Sequence, residues 1–365
     1  MQFISLNNKA NNYKKGDYMI KMMSKIIILS SVILWSFSAL SDGKLNLYNW
    51  SDYTPDELIT KFEKETGIKV TIDTYDSNET LLAKLQAAGG STGYDLAVPS
   101  QHFVEIMIKE GLLEKVDGIK DMPNYKFVSK QFQNPSFDPN QDYSTPYQMG
   151  SAGFAYRSGS YSGNGSSMME FFKPNDEVCG NLAVFKSPEE VVNMAHLALG
   201  SEFCSEDPNE MQAVLDLMLE QKKCVKVYSS EGINDRLKSG DVIMHAHWDG
   251  YSQVGKWEYM DDLTYAYPKE GVVGWFDSLV MPKGAKNVKE AKAFMNFLMN
   301  PENMAILSNN AAYANAIPES QKYLSDKMKN ATNIQVPEGI PVVFGKACNA
   351  NAQSLIDKVW TRVMQ

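Results

Sequence analysis

From residue 44 onward the chain alternates apolar and polar positions through Lys44–Trp50, the period-two pattern of a half-buried strand. Thr54-Pro55-Asp56-Glu57 then reads as a capping box with proline at the first helical position, and Gly67 as the stop of the helix it opens. The rhythm continues with a strand over Lys69–Tyr75, a helix over Asn78–Ala88, a strand over 95–99 and a helix over 103–110. Strand, helix, strand at this pitch predicts a parallel α/β sheet. After a loop-rich stretch, 142–156 reads as extended chain, followed by helices over 188–199 and 208–221 and a strand over 242–248. Residues 265–268 are again extended, 278–281 read as a buried strand, and 288–299 as a helix stopped by Asn300-Pro301. Two α/β sets with extended segments near 145 and 267 predict two lobes and more than one crossing between them. Such a chain leaves a cleft whose walls rotate about the crossings.

Ahead of this pattern, Lys21 and Lys25 precede an apolar run from Ile26 that ends at Ala39-Leu40-Ser41. This predicts a secretory signal peptide, and residues 1–41 are assigned as leader. The expected cleavage point has no cysteine for acylation, which predicts a soluble exported protein of a Gram-negative periplasm. The chain carries 35 basic and 44 acidic side chains for a formal charge of −9; the leader holds five lysines and one aspartate, so the remainder stands at −13. That sign attracts cations and disfavours nucleic acid, although it also serves simply to keep an exported protein in solution. Cys179, Cys204, Cys224 and Cys348 match no zinc spacing and predict one or two disulfides in an oxidising compartment. Cys204 with Cys224 is the local pairing, but the helix expected between them would hold the ends apart, and spacing alone leaves the connectivity open.

In open α/β sheets, ligands bind beyond the carboxyl ends of the strands. Trp50-Ser51-Asp52-Tyr53 and Pro99-Ser100 lie at such ends. Trp275-Phe276-Asp277 and Tyr313-Ala314-Asn315-Ala316 add aromatic rings beside further polar groups. Ring faces attract an ammonium group and cover its methylene chain, while a carboxylate in the same cleft supplies a charge-assisted hydrogen bond. The combination points to a small organic polycation. Each residue also has a plainer role: a strand-end tryptophan such as Trp50 or Trp248 is more often core, Asp277 fits a strand-terminal turn, and Tyr313 fits simple packing. An enzyme is the weaker reading. His245-Ala246-His247 sets two imidazoles on one side of a strand, as some metal sites need, but no acidic ligand pattern accompanies them. Nucleophile elbows, phosphate loops and Cys-His signatures are missing from the sequence.

Taken in order, Tyr48-Asn49-Trp50-Ser51-Asp52-Tyr53, Phe62-Glu63-Lys64-Glu65-Thr66-Gly67, Gly93-Tyr94-Asp95-Leu96-Ala97-Val98-Pro99-Ser100, Pro268-Lys269-Glu270-Gly271 and Tyr313-Ala314-Asn315-Ala316 resemble the periplasmic putrescine- and spermidine-binding proteins of ABC importers, within extracellular solute-binding protein family 1. The match spans nearly all of the chain after the leader. The resemblance implies a type II periplasmic-binding fold: two α/β lobes, joined by hinge crossings, closing over a polyamine. The lobes are expected over 42–145 with 268–320, and over 146–267 with 321–365. It also implies no catalytic residue, metal or cofactor, and delivery of the polyamine by a monomer to an inner-membrane permease and its ATPase. The alternative partner for the closed lobes is a periplasmic sensor domain of a signalling receptor.

Carried over residue by residue, the resemblance assigns Trp50, Ser51, Asp52 and Tyr53 to a first ligand segment and Ser100 to a second. Trp248, Trp275, Asp277 and Tyr313 also match. Glu190 corresponds to an amine-holding carboxylate, but it closes a capping box in Ser187-Pro188-Glu189-Glu190, which is its other available role. His102 stands where relatives carry a serine or tyrosine, and Tyr251 where putrescine binders use an aspartate; both are counted in the expected ligand set. Phe185-Lys186-Ser187 lacks an additional acid that relatives place nearby. Fewer carboxylates, with Trp275 retained, favour a spermidine-like ligand over putrescine.

Overall fold

A computed structural model describes residues 43–89 and 92–365, so the leader expected over 1–41 lies outside the described residues. The opening alternation becomes strand β1 (Lys44–Trp50), with Leu45 and Leu47 fully buried. Helix α1 (Asp56–Thr66) follows and is closed by Gly67 at φ 74°, a left-handed conformation that suits glycine. Its start departs from the expected capping box. Pro55 occupies the N-cap position without a side-chain cap, because the Thr54 hydroxyl is bonded to Tyr147 Oη at 2.6 Å. Strand β2 (Lys69–Tyr75), helix α2 (Asn78–Ala88), strand β3 (Leu96–Ala97) and helix α3 (Gln101–Lys109) complete the run. β1 pairs in parallel with both β2 and β3, the arrangement predicted by the rhythm of the sequence.

Strand β4 (Ser144–Arg157) is followed by α4 (Met169–Phe172), β5 (Leu182–Val184), α5 (Pro188–Leu199), α6 (Pro208–Lys222), β6 (Val225–Tyr228), α7 (Ile233–Ser239), β7 (Met244–Trp248), α8 (Asp249–Glu258), β8 (Leu263–Tyr265) and β9 (Val272–Val280). The chain ends with α9 (Val288–Leu298), α10 (Pro301–Ala311), α11 (Asp326–Lys329), β10 (Val342–Phe344) and α12 (Ala350–Met364). The strands make a curled sheet in the order β2-β1-β3-β9-β4-β7-β5-β6, with β8 beside β4 and β10 beside β9. β9 inserts antiparallel between β3 and β4. β4 and β9 therefore serve both lobes: their paired ends near Ser144 and Val280 continue into β3-β1-β2, and the far half of β4 continues into β7-β5-β6. Their register is irregular between Pro146 and Met149, a bulge that re-aims side chains where the chain passes between lobes. The extended segment read near 267 instead follows β8, which pairs with the end of β4.

Ring contacts fix the helices on each side. Phe62 of α1 meets Phe294 and Phe297 of α9 at 5.0 and 5.1 Å, and Phe154 of β4 stacks on Phe171 of α4 at 5.4 Å. The disulfides join Cys179 to Cys224 and Cys204 to Cys348. The local pairing of Cys204 with Cys224 does not form, since the 15 residues of α6 lie between them, about 22 Å of helix. Cys204–Cys348 instead ties the segment bearing β10 and α12 to the loop before α6, on which α12 packs. Among the described residues no helix is long and apolar enough to cross a membrane.

Candidate functional site

A cavity of about 850 Å³ lies between the lobes, where β1, β3 and β7 end. Every residue expected from the sequence lines it. Trp50, Ser51, Asp52, Tyr53, Ser100 and His102 come from one lobe; Glu190, Trp248 and Tyr251 from the other; Trp275, Asp277 and Tyr313 from the region of the shared strands. Seven acids join Asp52, Glu190 and Asp277 in the lining: Asp56, Asp76, Glu79, Glu189, Glu231, Asp235 and Glu258. Among the described residues, no lysine or arginine faces these ten carboxylates in the lining. A cavity of this charge holds a strongly negative potential and draws in a cation.

One wall is aromatic. Trp275 and Tyr313 meet edge to face at 4.9 Å, and Tyr53 stands perpendicular to Tyr313 at 5.6 Å. Such spacing leaves ring faces as a surface for an alkylammonium chain. The wall depends on two glycines: a Cβ at Gly150 would stand 2.7 Å from Trp275 Cζ2, and one at Gly250 would run into the Tyr313 ring. Asp277 closes this wall. An isolated bridge between Ser100 and Asp277 brings the two chain segments together, and Ser100 Oγ donates to Asp277 Oδ1 at 2.7 Å. Asn78 orders Ser100 in turn, accepting from its backbone N–H and donating to its hydroxyl, both at 3.0 Å. Burial pushes Asp277 up to about 7, against the pull of the Ser100 hydrogen bond. Burial, and then the charge of Asp277, also drives the Tyr53 hydroxyl well above its ordinary value.

On the opposite wall Trp248 stacks on Phe185 at 4.4 Å and donates its indole N–H to Glu190 Oε1 at 2.7 Å. The Ser187 half of the capping box is not realised: Ser187 is the N-cap of α5 but makes no side-chain cap bond. Burial raises the Glu190 carboxyl despite the indole contact. Glu189, next to it, meets His102 Nε2 at 2.9 Å. Glu79, at the start of α2, is pushed up to about 7 by burial and then by the charge of Glu189. Carboxyls held this close to neutrality are poised to ionise against an incoming ammonium.

The sequence matches the family described as bacterial extracellular solute-binding protein over residues 57–336. The chain belongs to that family. This solute-binding protein is 32% identical to the spermidine/putrescine-binding periplasmic protein 1 of Haemophilus influenzae, over 79% of each chain. It is 31% identical to a putrescine-binding periplasmic protein of Pseudomonas aeruginosa, over 94% of this chain and 99% of the relative. Its fold matches the solved spermidine/putrescine ABC transporter substrate-binding protein PotD of Streptococcus pneumoniae with a TM-score of 0.72 and 26% identity, over 88% of this chain and 98% of the other. The match to the PotD-type lipoprotein of Treponema pallidum gives 0.77 at 27% identity, over 88% and 99%.

The remaining expectations sort by environment in the solute-binding protein. Trp50 donates its indole N–H to Val98 O at 2.9 Å, which fixes the ring at the cavity edge beside Tyr75. Asp52 is exposed and left-handed at φ 55°, a conformation that aspartate tolerates. Asp249 stays out of the lining; its carboxylate accepts from the Ser151 N–H and hydroxyl, each at 3.0 Å. His245 and His247 are core residues: each bonds through Nδ1 with the next carbonyl, and His247 Nε2 pairs with Asn234 Oδ1 at 3.0 Å. Burial pulls His247 down to about 3 and His245 well below its ordinary value. Among the described residues no group of three or more His, Cys, Asp or Glu could hold a metal ion. Sequence reasoning missed Glu79 and Glu189. For both the signal was a place in the first turn of a helix, Glu189 beside Glu190 at the opening of α5 and Glu79 at the opening of α2.

Proposed function

We propose that this solute-binding protein captures a protonated polyamine in the interlobe cavity of a periplasmic receptor and delivers it to an inner-membrane ABC permease. One observation carries the reading: among the described residues, ten carboxylates and no lysine or arginine line a cavity walled by Trp50, Trp248, Trp275, Tyr53 and Tyr313. The names of the relatives, spermidine/putrescine- and putrescine-binding periplasmic proteins, support it. In this reading Asp277, Glu190 and Asp52 receive ammonium groups, Trp275, Tyr313, Tyr53, Trp50 and Trp248 cover the methylenes, and Ser51, Ser100 and Tyr251 complete the lining. The lobes comprise 42–145 with 268–320, and 146–267 with 321–365. An amine bridging acids of both lobes gains contacts only when they close, so it favours closure. The protein acts as a monomer and catalyses no reaction. The case for a spermidine-like ligand has two parts: Trp275, which lines the cavity, supports it, while Glu79 and Glu189 add to the few acids expected, so the charge of the cavity serves a diamine and a triamine alike.

Thermal unfolding with increasing putrescine or spermidine tests the proposal. A ligand specific for the folded form raises the midpoint with the logarithm of its concentration over Kd. A midpoint unmoved by millimolar amine would overturn it.

A further inference from the structure

The two lobes also meet through protein groups alone. His102, on α3, reaches Glu189, on α5, at 2.9 Å, with only 10% and 9% of the two side chains exposed. The neighbouring Gln101 crosses the same gap: its Nε2 donates to Gly345 O at 3.1 Å, while its Oε1 accepts from Phe276 N at 2.7 Å. Gly345 belongs to the segment after β10 that the Cys204–Cys348 disulfide anchors, and its N–H donates to Gly274 O at 3.3 Å. The absence of a side chain at Gly345 matters: a Cβ there would stand 3.1 Å from His102 Nδ1 and 3.2 Å from Glu189 Oε1. Two adjacent residues of one lobe thus each find a partner on the other, in a place where no ammonium group is needed to join them.

We propose that His102 and Glu189, flanked by Gln101 and Gly345, form a latch that holds the lobes together without ligand, so that these are positioning residues for closure. The inference rests on the proposed capture of an amine between closing lobes. The charged groups facing the imidazole are Glu189 and Glu190 from α5, Glu79 from α2 and Asp277 from β9; the anchored segment contributes Gly345, with Lys346 beside it exposed. Burial lowers the imidazole, but Glu189, Glu79 and Glu190 overcome it and leave His102 raised. A raised imidazole favours the latched form below its ordinary value, and that contribution is lost as pH rises through the raised one.

The test reads His102 directly by proton NMR of the ligand-free protein. Of the four histidines, His196, His245 and His247 are all lowered, so His102 titrates above the rest, and His102→Gln removes its resonance. The expected result is titration above about 6.5 in the wild type and a clear fall in Glu189→Gln. A value that Glu189→Gln leaves unmoved would overturn the latch. Calorimetry with spermidine at pH 6 and pH 8.5 gives the second arm. His102→Gln and Glu189→Gln should each weaken binding about tenfold at pH 6, with the double variant no worse than either and the losses smaller at pH 8.5. Additive losses, or a loss on Glu189→Gln alone, would make Glu189 a ligand contact and end the proposal. If the wild type binds no amine, the proposed function fails, while the titration still decides the latch.

Discussion

Asp277 is held in a state that the proposed amine binding would change. Its carboxyl is buried, accepts a hydrogen bond from Ser100, and is pushed up to about 7 by that burial. Because its folded value lies above its unfolded one, the folded protein binds the extra proton, and the ligand-free form loses stability as pH rises from about 4 to about 7. Amine binding should strengthen across the same window as the carboxylate ionises. Asp277→Asn is therefore expected to weaken spermidine binding by about 1.5–3 kcal/mol at pH 8. The same change should raise the thermal midpoint of the free protein at that pH and flatten its fall between pH 5 and pH 8. Calorimetry and melting curves at the two pH values check both halves, and an unaltered pH slope would remove Asp277 as the titrating group. A stabilising change that costs function is what a site built on an unfavourably buried charge should give.

Among the elements, β4 has little room for change beside the cavity. A Cβ at Gly150 would lie 2.5 Å from Asp249 Oδ1 as well as against Trp275, so Gly150→Ala must displace one of them. We expect at least roughly a tenfold loss of amine affinity and a shifted tryptophan emission, with an unchanged far-ultraviolet dichroism spectrum. Local signals explain which elements were legible beforehand. The bounds of β1, β2, α2 and α5 agree with the sequence because alternation, the Ser77 cap on the Thr80 N–H and the Gly200 stop are all short-range. Helix α8 was not legible, since Gly250 and Gly255 argue against a helix, yet each admits a neighbour: the Tyr313 ring and the Asn234 side chain. The site divides in the same way. Trp50 to Tyr53 could be placed from one strand end, whereas Ser100 with Asp277 and His102 with Glu189 join residues far apart in the chain, and no local pattern encodes such pairs.

Over the whole molecule, the two disulfides differ in reach. Cys179–Cys224 spans 45 residues and Cys204–Cys348 spans 144. Replacing both Cys204 and Cys348 by serine should cost about 2–5 kcal/mol, read as a lower urea midpoint under oxidising conditions. It should also loosen the Gly345 segment, seen as faster amide exchange at Gly345 than in the wild type; equal exchange would show that β10 pairing holds the segment unaided. The place of β9 in the sheet sets the order in which the molecule can be built. Among the described residues nothing before residue 272 supplies the strand between β3 and β4, so an emerging polypeptide has roughly three-quarters of its length in hand before the two half-sheets can be joined. Long-range pairings of this kind form slowly. Until then the edge of β3 and the first part of β4 have no partner strand between them, and the cleft has no floor.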